Sequence, residues 1–333
     1  MRTNTVRTGF ACRDLLGSLA VALVALALLA SAAQRMRQQS ISASSLSQLR
    51  WIAGITSSYA ADNADRYWNF SWTAGATPSA YPDLQTASTD LIAAANQAID
   101  ILRRRGRPDM PRPIAWIPHV LYSHLPLIDY LDRDIPDFNF VSPADANRLA
   151  WARDPAGFDA GAFLPLQPAP SATEKRWPYS ASFEQPPAFY DQSDIGSRIM
   201  PGATQAQYSI PSTAVLGAWR ISDVAYPGRK AHIFDAAQRD LGASDRFFAD
   251  EGADVPIAFA DGSAGVRASR DANGGWKPNR PTDPTPSRFA YEPAAWDPQG
   301  TTAGEILLGH YRWTRGGIFG RDFGGPEIDT GQP

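Results

Sequence analysis

Leu15-Leu-Gly-Ser-Leu-Ala-Val-Ala-Leu-Val-Ala-Leu-Ala-Leu-Leu-Ala-Ser-Ala-Ala33 is the stretch that decides how this 333-residue chain is organised. It carries no charge, and its length is close to the roughly 20 residues a helix needs to cross a ~30 Å hydrocarbon core. One membrane span is the expectation. Arginines stand on both sides, Arg2, Arg7 and Arg13 before it and Arg35 and Arg37 after it. Charge bias therefore gives only a slight preference for a cytoplasmic N-terminus.

The order of the parts before the span is informative. A basic leader, Met1-Arg-Thr-Asn-Thr-Val-Arg-Thr-Gly9, runs into Phe10-Ala-Cys-Arg-Asp14 and then into the apolar run. A secretory signal places its cleavage point after the apolar region, whereas the candidate processing point here, Gly9–Phe10, precedes it. Cutting there leaves the apolar helix on the mature protein. Asp14 then stands at the edge of a membrane helix, where a carboxylate is costly to desolvate unless it stays at the interface or gains a partner. The new α-amino group of Phe10 lies one helical turn away and is such a partner, either within the chain or between neighbouring subunits. The simpler account is that Asp14 favours the positive end of the helix dipole.

Gly9, Phe10 and Asp14 together resemble the class III leader of type IV pilins and type II secretion pseudopilins. The resemblance implies cleavage by a prepilin peptidase, methylation of the new N-terminus and a register-setting pair between Asp14 and a neighbouring Phe10 amine. The chain departs from that pattern in having Asp14 for the usual Glu, and Cys12 and Arg13 where apolar residues are usual. Arg13 can pair locally with Asp14 and compete for it.

Past the span, Leu46, Leu49, Ala53 and then Ile52, Ile55, Tyr59 recur at three- and four-residue steps, which predicts an amphipathic helix ending near Asp62–Asp65. Leu49, Arg50, Ile52, Tyr59, Ala60, Asn63, Arg66 and Tyr67 also resemble the matching segment of a large bacterial subfamily of pseudopilin-G-like proteins. That subfamily carries an H-X9-DG signature, usually Phe-Ala-Asp-Gly at its end. Here Phe259-Ala260-Asp261-Gly262 matches the turn, but Glu251 occupies the histidine position, so no role of that histidine carries over. Asp-Gly between apolar residues is a hairpin signal in its own right.

Residues 69–333 are long enough for one large domain or two small ones. Asp90–Arg105 reads as a second helix with Gly106 as its stop. Ile114–Ile117, Ala214–Ile221, Ala231–Phe234 and Ile257–Ala260 read as strands. Proline-rich runs at Pro108–Pro118, Leu164–Pro170 and Pro278–Pro286 should be extended or turn segments. The glycine-rich end, Arg312–Gly325, reads as a tight hairpin or a docking edge.

Chemistry-bearing motifs are few. Of the four histidines, His119 and His124 are five apart, off the i, i+4 spacing that pairs two imidazoles on a helix face. The one cysteine, Cys12, excludes an intrachain disulfide and a zinc cluster built on thiolates. Neither a Gly-x-Ser-x-Gly elbow nor a P-loop occurs. Asp250, Glu251 and Asp254 form one acidic group, and Asp271-Ala-Asn273-Gly-Gly another. Asp254, Asp271 and Asn273 are calcium candidates, since major pseudopilins of the resembled family often bind calcium in a C-terminal loop; solvated turns are the default, because no full twelve-residue loop is present. A net charge of −3 and a pI near 5.8 give no broad basic surface for nucleic acid, and Arg103-Arg-Arg-Gly-Arg107 fits the cation-welcoming end of a helix.

The sequence thus implies a pilin-like α+β protein. Its parts are a leader (1–9), the transmembrane half of a long helix (10–33), the exterior half (34–68) packed on an antiparallel sheet, and an enlarged proline-rich globular domain (69–333). It should be a non-enzymatic structural subunit, a pseudopilin or minor pilin without a cofactor, crossing the bacterial inner membrane once. Its domain should lie on the periplasmic side, and its partners should be other pilins and the prepilin peptidase. The alternative is a membrane-anchored exterior domain that binds or hydrolyses a ligand such as carbohydrate through its Trp and Tyr side chains.

Overall fold

The computed structural model describes residues 12–113, 116, 118–193, 199–211, 214–239, 245–275 and 285–325. The first helix, α1 (Cys12–Asp62), contains both the apolar run and the amphipathic stripe. The chain divides into two compact units, Met1–Ala43 and Ser44–Pro333. In the first, Leu15–Ala33 is a helix with none of its residues buried. In the second, the stripe does what its period predicts: Leu49, Ile52 and Ala53 are 0–4% exposed.

Helix α2 (Asp90–Arg105) has the predicted bounds, and each bound has a cause. Thr89 caps its start, Oγ1 accepting from the amide of Ile92 at 3.2 Å, and satisfies one of the free N-terminal donors. Gly106 ends it in an extended conformation, φ 174°, so its freedom to adopt positive φ is not what matters. A Cβ there would lie 2.4 Å from the carbonyl oxygen of Ile135, so only glycine fits the close approach. Short helix α3 (Leu125–Tyr130) packs beside it, and α4 (Ala146–Arg153) follows.

The main sheet has four antiparallel strands in the order β4-β3-β2-β1, where β1 is Phe183–Glu184, β2 Ala231–Asp235, β3 Asp254–Phe259 and β4 Ala264–Ala268. Two of the expected strands, Ala231–Phe234 and Ile257–Ala260, are therefore central to it. Alternation along β3 sends Val255, Ile257 and Phe259 into one core cluster and Ala258 into another. Ala258 joins Ile233, Phe183, Leu49, Ile52 and the α2 residues Ala98, Ile99 and Leu102. The other face meets Phe248, Phe289, Tyr311, Trp313 and Phe323. A register shift between Ala231 and Ile233 moves successive β2 side chains onto the correct faces.

Two expectations need correction. Ala214–Ile221 is no strand; it makes isolated bridges at Leu216 and Arg220 and then a 3-10 turn from Ile221, and the Trp219 indole donates to the carbonyl of Asp191 at 2.9 Å. The glycine-rich end is not a hairpin. His310–Trp313 and Gly317–Phe319 are 3-10 turns, and Trp313, Ile318 and Phe323 are buried. An ion pair pins this segment to the sheet: Lys230 Nζ lies 3.4 Å from Asp322, both fully buried, with Thr314 bonded to each. The Asp322 carboxylate also accepts from the amide of Ala231 at 2.8 Å. Of the other predicted strand, Ile114–Ile117, only Trp116 falls within the described residues, and in the Pro278–Pro286 run only 285 and 286 do.

Candidate functional site

Gly9 and Phe10 lie outside the described residues, and Asp14 is a helical position of α1 whose side chain is outside them too. The described part of the N-terminal unit bears on the apolar run. Leu15, Leu16, Leu19, Val21, Leu23, Val24, Leu26, Leu28 and Leu29 are 57–70% exposed. Ser18 and Ser31 return their hydroxyls to the carbonyls of Leu15 and Leu28, at 2.9 and 2.8 Å, so the run presents no unsatisfied side-chain donor. This is the one helix long and apolar enough to cross a membrane among the described residues.

Two motifs read separately from the sequence meet in the unit Ser44–Pro333. The helix-end motif turns the chain through Ala64 and Asp65, both at positive φ, and delivers Tyr67 into the core. Asn63 Nδ2 donates to the carbonyl of Tyr59 at 2.8 Å and Arg66 Nη1 to that of Ala218 at 2.9 Å. Asp65 accepts from the amide and hydroxyl of Ser222, which hold its carboxyl below the usual range. Tyr67 then packs on His232 and Phe189, with ring centroids 4.7 and 4.8 Å away, and its hydroxyl donates to the carbonyl of Ala260 at 3.4 Å. Ala260 belongs to the Phe259–Gly262 turn. There Gly262 adopts φ +83°, Phe259 accepts its amide at 2.9 Å, and Asp261 Oδ1 accepts from the amide of Ser263 at 2.9 Å. The two motifs form one structural joint.

Histidines serve the core. His232 and His124 are buried, and burial lowers each to about 3, so both are neutral at physiological pH. His310 is lowered too, chiefly by burial, and its Nδ1 is 3.1 Å from the carbonyl oxygen of Asn273. His119 has its side chain outside the described residues.

The acidic groups hold the protein to itself. Asp250 takes Arg246, the amide of Gly252 and the hydroxyl of Thr301; Asn273 donates to the carbonyl of Arg321 at 2.9 Å. Asp254, at the start of β3, and Asp271 are exposed. Among the described residues no three His, Cys, Asp or Glu side chains are grouped as a metal would require. The basic cluster is likewise matched: Arg103 pairs with Asp83, Arg104 with Asp100 and Asp129, Arg105 with Asp129 and Asp132, and Arg107 with Asp109 and Asp159.

Not foreseen from the sequence is a cavity of about 550 Å³ in the unit Ser44–Pro333, within the range of small-molecule sites. Trp116, Trp177 and Trp296, far apart in sequence, supply its indoles; Tyr122, Tyr208 and Phe247 add further rings. Edge-to-face contacts set these rings: Trp177 and Trp296 at 6.2 Å, Trp116 and Tyr122 at 5.0 Å, with Trp151 behind Trp177 at 6.1 Å. Four arginines line it, each tied to a carboxylate. Arg148 and Arg239 share Asp145, at 2.8 and 2.9 Å, Arg239 also reaches Asp235 at 3.1 Å, Arg312 pairs with Glu184, and Arg176 with Glu174 at 3.6 Å.

Electrostatics follow from that crowding. Burial opposes ionisation of Asp145, but Arg239 and Arg148 outweigh it and hold the carboxyl below its usual range. Asp235 bears the cost: burial first, then the Asp145 charge, raise it to about 6 against the pull of Arg239. Asp297, at the rim of the same cavity, is raised by burial. The abundance of tryptophan, 10 in the chain, was the only sequence signal for this site. Compared with known proteins, the chain matches no family model, no curated protein and no solved structure.

Proposed function

We propose that this chain is a membrane-anchored structural subunit, a pseudopilin or minor pilin of a type II secretion or type IV pilus-like assembly. The observation that carries the reading is the exposure of Leu15–Ala33: a charge-free helical surface of this length is not stable in water, and requires lipid or the like helices of neighbouring subunits to cover it. The leader order, with Gly9–Phe10 before the span and Asp14 at its edge, supports assembly over simple anchoring. In this reading a prepilin peptidase cuts after Gly9 and methylates Phe10, and the Asp14 carboxylate pairs with the amine of a neighbour. The exterior unit lies on the periplasmic side of a bacterial inner membrane. It acts by packing and presentation, not by catalysis.

The test is the mature N-terminus. In a strain containing prepilin peptidase, mass spectrometry of the membrane-extracted protein should find a peptide beginning at N-methyl-Phe10, and Gly9→Val should abolish it while insertion persists. An intact Met1 terminus in that strain would overturn the assembly reading and leave an uncleaved anchor. Asp14→Ala should be cut and inserted yet fail to co-purify with partner pilins; Asp14→Glu should assemble at least as well as the natural protein.

A further inference from the structure

We infer that the 550 Å³ cavity of the exterior unit is a binding site for a neutral saccharide. The inference is independent of how the chain is anchored or assembled, because every lining residue belongs to the unit Ser44–Pro333.

The first argument is the kind of surface. A sugar ring has two different aspects: faces of C–H bonds polarised by the adjacent oxygens, and a rim of hydroxyls that both donate and accept. The C–H faces are complementary to the negative face of an indole. The rim requires planar polar side chains offering two sites each. The cavity brings both together, with Trp296 for the face and Glu292, Asp297 and Gln207 among its polar residues. A purely apolar ligand would strand the polar groups without partners, at about 1–3 kcal/mol for each one buried.

The second argument is charge. The four lining arginines are neutralised by Asp145, Asp235, Glu174 and Glu184, and two further carboxyls, Glu292 and Asp297, also line the cavity. An anionic ligand would find no guanidinium free of a carboxylate and would face the two additional acids. A cation is disfavoured for a different reason. Two of the three places it would take over the indoles are already held: the Arg176 guanidinium lies 5.7 Å from the Trp116 ring centre and that of Arg148 lies 6.0 Å from Trp177. A neutral, hydroxyl-rich ligand meets neither objection.

The third argument is unfilled valence. Tyr122 Oη, Arg176 Nε and Arg312 Nε, on lining residues, are buried without a hydrogen-bond partner. Such groups are uncommon in a folded protein, and since all three atoms are closed off from the open cavity, a ligand reaches them only where the lining side chains shift. Tyr122 and Arg312 are 3% and 6% exposed, so bulk solvent does not satisfy them.

The experiment uses the full chain in lipid nanodiscs prepared without glycoside detergents, which would compete. Tryptophan fluorescence and calorimetry follow titration with maltose, cellobiose and N,N′-diacetylchitobiose, and in parallel with galacturonate and choline. At least one neutral disaccharide should bind saturably, with Trp296→Ala weakening it about tenfold or more, the scale of one lost stacking contact. Trp296→Phe should retain part of the affinity, and Trp72→Ala, outside the cavity, all of it. Glu292→Gln, an exposed change that leaves the core untouched, should weaken binding and so tests the site even if the tryptophan variant misfolds. Saturable binding of choline or galacturonate in preference to every neutral sugar would overturn the inference. So would no binding by any of the three disaccharides, or binding indifferent to both Trp296→Ala and Glu292→Gln.

Discussion

Helix α1 contains two apolar regions with opposite fates. Leu23, Val24 and Leu26 in its first part are 59–62% exposed, whereas Leu49 and Ile52 further on are fully buried. Similar side chains on one helix thus obey two rules. Between Leu15 and Ala33 the apolar residues go all the way round, which no single protein face can cover. Around Leu49 they form a stripe among Ser, Gln and Arg, whose centre, Leu49, Ile52 and Ala53, one face of a globular core covers. The period of the pattern, not its hydrophobicity, separates a surface that needs another solvent from one that needs a fold.

The sharpest way to break the comparison is to charge the first region. Leu23→Arg with Leu26→Arg should cost roughly 5–7 kcal/mol of insertion, at about 2.5–3.5 kcal/mol for each arginine near the bilayer centre. Flotation should find the variant out of the membrane fraction. The thermal midpoint of the unit Ser44–Pro333 should stay where it was, since both residues belong to the other unit. If the variant still floats with membranes, the span is not what anchors the chain.

The converse change acts on the stripe. Ile52→Ala removes a side chain that packs with α2 and the sheet, and should destabilise the exterior unit by about 2–5 kcal/mol. Membrane fractionation should be unaffected. A loss below about 1 kcal/mol would mean that the stripe is not integral to the core. Together the two variants separate anchoring from folding along a single helix.

How much of this was legible beforehand depended on distance along the chain. The span, the stripe, the bounds of α2 and the two central strands were readable because each is a local pattern: a period, a cap, a run of β-branched and aromatic residues. The Phe259–Gly262 turn was readable from Asp-Gly alone. What could not be read was whatever joins distant residues. Lys230 and Asp322 look like ordinary surface charges in sequence, yet they form a buried pair that draws the glycine-rich end into the core. Trp116, Trp177 and Trp296 carry no shared spacing, so nothing in their order announces one cavity. The arginines of 103–107 looked like a cationic helix end, and only the fold reveals the aspartates that neutralise them.

A smaller effect lies in the exterior unit's ionic network and shows in pH. Asp235 is raised in the folded protein to about 6 from an ordinary value of 3.8, so the native state holds a proton that the unfolded chain releases. Stability from this group is therefore present in full below pH 4 and is lost as pH rises through 6, by up to about 3 kcal/mol at 1.36 kcal/mol per unit. Asp145 works in the opposite sense, its stabilisation being lost as pH falls below the ordinary carboxyl range. Asp235→Asn should flatten the decline between pH 4 and 7 relative to the natural protein in urea titrations. An unchanged slope would place the decline elsewhere, and membrane association should be indifferent to the change.

The smallest expected effect concerns calcium, and it sharpens the comparison by asking whether the exterior unit holds itself together without help. Asp254 and Asp271 are exposed, and the Asn273 side chain is fixed by the bond its Nδ2 donates to the carbonyl of Arg321, so a calcium ion would have to gather two solvated carboxylates around a side chain already tied in place. An ion bound well above its dissociation constant stabilises by roughly 2–4 kcal/mol. For a unit of this size, 1 kcal/mol moves the thermal midpoint by about 2–4 °C. The midpoint in millimolar calcium should therefore lie within about 2 °C of that in chelator. A larger upward shift abolished by Asp271→Ala would assign the ion to the Asp271–Asn273 turn, and one abolished by Asp254→Ala to the start of β3. Either result would show that these acidic turns are ligands and that the exterior unit, like the span, depends on something outside the chain.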